Sequence, residues 1–137
     1  MGTGGAGVFE NDHALDLLSG EVHRLVDMVE AVLALPRVAF DDIEGPLLYV
    51  HMLARLAEER EIEWSGPGFD RGVVDKWKER YLHIFNSTIG TEYPDYVARR
   101  REVIAREFDA LAARLPEARA VPKPRRAHRK STTRVPK

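Results

Sequence analysis

Three histidines have the residue type and the distribution along the chain that a metal site would need. His23, His51 and His83 fall on successive predicted helices, and imidazole nitrogens bind zinc without help from cysteine. Their helical positions argue against convergence, because His23 and His83 share the polar sides of their helices and only His51 borders an apolar face. No H-x-x-x-H pair occurs, and none of these three histidines belongs to an E-x-x-H pair. We therefore predict no metal ligands and no cofactor.

Hydroxyl and carboxylate side chains are the next candidates for chemistry. The serines fall in predicted caps, loops or the tail, and none lies in a G-x-S-x-G motif. Glu58, Glu59, Glu61 and Glu63 cluster at the end of one predicted helix. Such carboxylates can perform acid–base work, but a solvated acidic run is the simpler interpretation. We predict no catalytic residue, and an enzyme whose site forms only in three dimensions stays open as an alternative.

The glycine-rich start matches a nucleotide-binding pattern in its letters alone. Residues 2–7 read G-x-G-x-x-G, but only Met1 precedes them. The dinucleotide fingerprint needs a preceding strand to aim the glycines and a helix N-terminus to hold the pyrophosphate. The segment is therefore interpreted as a glycine strap that lies against the body of the protein.

Charge divides the chain into two parts. The totals are 21 basic and 22 acidic side chains, but residues 116–137 hold eight of the basic ones and a single acid. Subtraction leaves 13 basic and 21 acidic side chains in residues 1–115, an acidic body of −8 beside a basic tail of +7. An acidic body repels a polyanion, so the run Arg99-Arg100-Arg101 is predicted to pair with Asp95 and Glu102 rather than with phosphate.

The tail is the part of the chain with the composition of a nucleic-acid-binding arm. Such arms bind phosphates through counterion release, without sequence preference. The residues predicted to make these contacts are Lys123, Arg125, Arg126, Arg129 and Lys130. A solubilising tail, or one that folds back on the acidic body, is the competing interpretation.

The apolar periodicity predicts helices throughout the body. Expected helices cover 12–18, 21–35, 46–60, 70–86 and 94–115, with a stop at Ser19-Gly20 and N-caps at Asn11 or Asp12 and at Asp70. The fold class is therefore all-α, a bundle of four main helices with a short N-terminal helix. Residues 1–115 form the predicted domain, and residues 116–137, poor in apolar side chains, a disordered tail.

Length and composition exclude several classes of protein. The 137 residues fit one domain. The absence of cysteine excludes a disulfide scaffold and a thiolate zinc site, and is in keeping with the cytoplasmic location that we expect. The longest aliphatic run, residues 31–35, is far below the roughly 20 apolar residues of a membrane span. No membrane partner is expected.

The first 16 residues resemble the start of the bacterial family called "domain of unknown function 4259". The resemblance rests on an opening Met-Gly, further glycines and a Phe-Glu-Asn-Asp block before a helix, with Gly4 where tryptophan is usual. The residues that carry it are Gly2, Gly5, Gly7, Phe9, Asn11, Asp12 and Asp16. The resemblance implies a small bacterial helical protein and no reaction. A structural role for this block, with Phe9 as a hydrophobic staple, competes with a binding site built from the strap.

These observations favour a non-enzymatic protein-interaction module as the function. Small size, an acidic body and the lack of a catalytic pattern are typical of an immunity- or antitoxin-like protein that engages a basic effector. Non-specific nucleic-acid binding through the tail and a small enzyme are the two alternatives. The oligomeric state is left open.

Overall fold

Four α-helices and one 3₁₀ turn make up the regular structure of the described residues. The computed structural model describes residues 7–8, 11–60, 62, 64 and 69–117. The helices are α1 (Asp12–Leu33), α2 (Glu44–Glu59), α3 (Arg71–Thr88) and α4 (Pro94–Ala112), and the 3₁₀ turn covers Phe40–Ile43. No strand occurs within this part of the chain. The predicted all-α class with four main helices is confirmed.

The helices surround one apolar core. α1 packs on α2, α2 on α4, α4 on α3, and α3 on α1, so each helix has two neighbours. The predicted apolar stripes point inward, and at least twelve side chains are less than 2% exposed. They include Leu25, Val29, Val50, Leu53, Val74, Tyr81, Phe85, Ile104, Phe108 and Leu111. The core therefore follows the helical period of the sequence.

The short N-terminal helix is not a separate element, so the predicted stop at Ser19-Gly20 is wrong. α1 runs without a break from Asp12 to Leu33. The apolar stripe continues on both sides of Gly20 through Leu18 and Val22, which pack on the core. A single glycine costs a helix only about 1 kcal/mol, and this packing outweighs it.

Gly20 gives a direct test of that explanation. A Cβ added there would meet nothing within 4 Å, and its backbone has no positive φ. We expect Gly20→Ala to raise the free energy of unfolding by about 0.5–1 kcal/mol, because alanine loses less backbone entropy in a helix. Urea denaturation followed by circular dichroism measures the change. A destabilised variant would contradict a helical, solvent-exposed Gly20.

Side chains cap the N-terminal ends of α1 and α3. Asn11 is the N-cap of α1, where its Oδ1 accepts a hydrogen bond from the Ala14 N–H at 2.7 Å. Asp70 caps α3 in the same way, accepting from the Val73 N–H at 3.2 Å. Both positions agree with the predicted caps, and each satisfies an amide that the first helical turn leaves unpaired.

Two arginines of α3 supply the missing caps at the C-terminal ends of other helices. Arg80 donates to the carbonyl oxygens of Leu33 and Leu35, at 3.0 and 2.7 Å. Arg71 Nε donates to the Ala112 carbonyl oxygen at 3.0 Å. Neither α1 nor α4 has a basic residue in its last turn, so α3 provides the positive charge that a helix C-terminus favours.

α2 begins earlier than the sequence indicates. The 3₁₀ turn leads directly into Glu44, two residues before the predicted start at Pro46. The Asp42 carboxylate accepts from the Ala39 N–H at 3.2 Å, and the Tyr81 hydroxyl donates to the Ile43 carbonyl oxygen at 2.8 Å. The first hydrogen bond closes the turn on itself and the second holds it against α3. The sequence shows no helical periodicity over this turn that would predict it.

Candidate functional site

Of the three histidines, one meets an acidic side chain across a helix interface. His51 on α2 places its Nδ1 2.8 Å from Glu107 Oε1 on α4. His23 on α1 and His83 on α3 are exposed, and His83 does not line the cavities beside His51. Within the described residues no group of three or more His, Cys, Asp or Glu side chains could hold a metal ion.

The His51–Glu107 contact is the middle rung of a ladder between α2 and α4. The three rungs are Glu44–Arg100 at 2.9 Å, His51–Glu107 at 2.8 Å and Glu58–Arg114 at 3.9 Å. Successive rungs are seven residues apart on both sides, almost two full turns of a helix, so each set forms one line. Arg114 lies two residues past the end of α4. Both lines run in the same direction, which shows that α2 and α4 are parallel neighbours.

A groove follows this ladder on the outside of the bundle. Two open cavities, of about 330 and about 320 Å³, share His51 and Glu107 in their walls. We call the whole depression the α2–α4 groove, and the cavities on either side of His51 and Glu107 its first and second halves. The first half runs towards the Glu44–Arg100 rung and the second towards Glu58–Arg114. From residue 44 to 58 the groove is roughly 21 Å long.

Apolar side chains lie beside the first half of the groove. Leu48 is 54% exposed and lines it together with Val103. Met52, 37% exposed, follows Leu48 one turn later on α2 and lines an adjoining cavity of about 510 Å³ that shares His51 with the groove. Tyr96, at 42% exposed, lies one turn before Arg100 on α4. Exposed apolar side chains on one face are typical of surfaces that another molecule covers.

The second half of the groove combines small apolar residues with arginines. Its described lining includes Ala54, Ala110 and Ala113, and the guanidinium groups of Arg55, Arg106 and Arg114. Arg55 and Arg114 approach the Glu58 carboxylate at 3.4 and 3.9 Å. These contacts give part of the acidic run at the end of α2 a local role, since they offset a charge that the helix C-terminus disfavours.

Arg106 is the arginine of the second half whose charge is not offset. It makes no ion pair within the described part of the chain. Three guanidinium groups and two carboxylates, those of Glu58 and Glu107, line this half. The balance leaves one positive charge even when His51 is neutral, in a body that is acidic as a whole.

Ser87, four residues after His83, uses its hydroxyl for a backbone hydrogen bond. Ser87 Oγ donates to the His83 carbonyl oxygen at 2.7 Å. The described lining of the α2–α4 groove contains no hydroxyl, thiol or amine side chain. The imidazole–carboxylate pair of His51 and Glu107 thus has no side-chain nucleophile within this lining to activate.

The arginine run on α4 pairs with partners other than those the sequence indicates. Arg100 bonds to Glu44, and Arg101 donates twice to the Asn86 side-chain oxygen at 3.1 and 2.8 Å. Arg101 also lies 6.0 Å from the centroid of the Phe85 ring. The predicted pairing with Asp95 and Glu102 is wrong for Arg100 and Arg101, because α4 faces α2 and α3 and these two side chains reach those helices.

Several predicted sites lie outside the described residues. They are Gly2, Gly5 and Phe9 of the strap, and Lys123, Arg125, Arg126, Arg129 and Lys130 of the tail. Gly7, Asn11, Asp12 and Asp16 are described, and the last three begin α1. The nucleic-acid contacts, the disorder of the tail and the role of the strap stay predictions.

Comparison with protein families, curated proteins and solved structures finds no match to the chain. The resemblance of the first 16 residues to "domain of unknown function 4259" therefore stays a prediction. Among the described residues no helix is both long enough and apolar enough to cross a membrane.

Proposed function

We propose that this chain is a protein-interaction module that binds a partner protein through the α2–α4 groove. The observation that carries the proposal is the exposure of Leu48, Met52 and Tyr96 beside a row of cross-helix polar contacts. Protein interfaces commonly place methionine, aromatic and arginine side chains at the contact and polar groups around it. The groove has that arrangement.

The shape of the groove favours a helix as the bound element. Two parallel helices form its walls, and its roughly 21 Å accommodates about four helical turns. Amphipathic helices bind such grooves by inserting apolar side chains at i, i+3, i+4 and i+7. The acidic charge of residues 1–115 favours a partner that is basic overall, as an immunity- or antitoxin-like role would require.

Affinity capture with matched variants tests the proposal. The bait is the full-length chain, with a Leu48→Glu/Met52→Glu variant as the groove-disrupted form. Leu35→Glu is the control, because Leu35 is a similarly exposed leucine at 45% outside the groove. We expect the wild type and the control to retain a stoichiometric protein from the source cells, and the groove variant to lose it, since buried carboxylates without partners are costly.

The captured protein would then be purified and titrated against the same three baits. We expect binding to the groove variant to be weaker by at least about a hundredfold, roughly 2.7 kcal/mol. Equal recovery by all three baits, or no recovered protein with any of them, would contradict the proposal.

A further inference from the structure

The first ten residues of α1 have the chemistry that the second half of the α2–α4 groove lacks. Within residues 12–21 no side chain is buried, whereas the second half of the helix contributes Val22, Leu25, Val29 and Leu33 to the core. The start of α1 is thus a helix that presents most of its surface to solvent. We call residues 12–21 the α1 start.

The α1 start is both acidic and apolar on its exposed surface. Asp12 and Asp16 lie one turn apart on one side of the helix and make no ion pair within the described residues. Leu17 is 63% exposed. An exposed leucine beside two carboxylates is suited to a surface where small apolar residues are bordered by guanidinium groups.

Those features complement the second half of the groove. Arg106 has no ion pair within the described residues, and Arg55 and Arg114 make only long contacts to Glu58. The α1 start is also long enough for this half of the groove, since it is about 15 Å long and the line from residue 51 to residue 58 is about 11 Å. Ala54, Ala110 and Ala113 leave room for a larger apolar side chain between the arginines.

We propose that the occupant of the second half of the groove is the α1 start of a second copy of this chain. Leu17 of one copy covers the alanines of the other, and Asp12 and Asp16 face Arg106 and its neighbours. Among the described residues α1 contacts α2, α3 and the 3₁₀ turn but not α4, so the α1 start does not occupy the groove of its own chain. If each copy places its α1 start in the groove of the other about a two-fold axis, the assembly is complete as a dimer.

Charge does not oppose this dimer at the level of the whole chain. The acidic body and the basic tail together give a formal net charge of −1. Two copies therefore repel each other little at long range, and local complementarity sets the orientation. The inference rests on the proposed function in taking the groove as a binding surface: it assigns the second half to a second copy of the chain and leaves the apolar first half to the basic partner.

Sedimentation equilibrium of the full-length protein, over a range of concentrations, tests the dimer. We expect the wild type to dimerise, and both Arg106→Glu and Asp16→Arg to weaken dimerisation by about tenfold or more, because each places like charges opposite one another. The combined variant restores opposite charges and is expected to recover most of the wild-type association. Circular dichroism checks that these exposed substitutions leave the helices intact.

Arg99→Glu is the matched control for Arg106→Glu. Arg99 lies two turns earlier on the same helix, is exposed, and does not line the groove. We expect it to dimerise as the wild type does. A monomeric wild type, an equal loss of dimerisation in Arg99→Glu and Arg106→Glu, or a combined Arg106→Glu/Asp16→Arg variant without recovery would overturn the inference. None of these outcomes touches the proposed function, which the Leu48 and Met52 substitutions decide separately.

Discussion

Replacing Phe108 with alanine is expected to lower the free energy of unfolding by about 3–5 kcal/mol. Phe108 is 1% exposed and its ring centroid lies 5.4 Å from that of Tyr81. Removing the ring deletes buried apolar surface and leaves a cavity between α3 and α4, which close-packed neighbours fill only in part. Domains of this size are stable by about 5–15 kcal/mol, so the loss is a large share of the total.

Chemical denaturation of Phe108→Ala beside Leu48→Ala measures this effect. Leu48 is 54% exposed, and its truncation is expected to change stability by no more than about 0.5 kcal/mol. A further variant, Phe108→Leu, keeps most of the apolar volume and is expected to lie between the other two. If the two alanine variants lost similar stability, Phe108 would not occupy the centre of the core.

The apolar core was predictable because it depends on local periodicity. Val74, Tyr81, Ile104 and Phe108 recur at helical spacing, and a helix that repeats apolar residues in this way has one face to bury. The same reasoning placed the cap at Asp70. Such features depend only on residues that are close together in the sequence, so a single sequence is enough to predict them.

The ends of two elements were harder to predict because long-range packing decides them. Ser19-Gly20 has the letters of a helix stop, yet the packing of α1 on α2 carries the helix through it. The 3₁₀ turn depends on the Tyr81 hydroxyl, 38 residues away from Ile43. Tertiary contacts of this kind override local propensity, which differs by only about 1 kcal/mol per residue.

The α2–α4 groove illustrates what sequence spacing alone leaves undecided. The seven-residue spacing of Glu44, His51 and Glu58 is visible in the sequence, and so is that of Arg100, Glu107 and Arg114. The spacing does not show that α2 and α4 are parallel neighbours, or that their register places the two sets of residues opposite each other. The helical pattern places His51 at the border of an apolar face, but it does not identify Glu107 as its partner, because the pairing depends on that register.

Tyr81→Phe is expected to lower the free energy of unfolding by about 1–3 kcal/mol near neutral pH. The Tyr81 hydroxyl is buried and donates to the Ile43 carbonyl oxygen at 2.8 Å. Phenylalanine keeps the ring but leaves that buried carbonyl oxygen without its partner, and the desolvation of an unpaired acceptor is not repaid. Tyr93→Phe is the control, since Tyr93 is 69% exposed.

The difference between the wild type and Tyr81→Phe is expected to depend on alkaline pH. Burial, and then the nearby Glu44 carboxylate, raise the pKa of Tyr81 above its ordinary value. The unfolded chain therefore releases this proton near pH 10 while the folded chain keeps it, so the wild type loses stability as the pH rises above about 10. Phenylalanine has no proton to release, and the advantage of the wild type should shrink from there upward. A stability difference that stayed constant from pH 7 to about pH 11 would mean that Tyr81 ionises equally in both states, and hence that the turn before α2 is not closed over its hydroxyl.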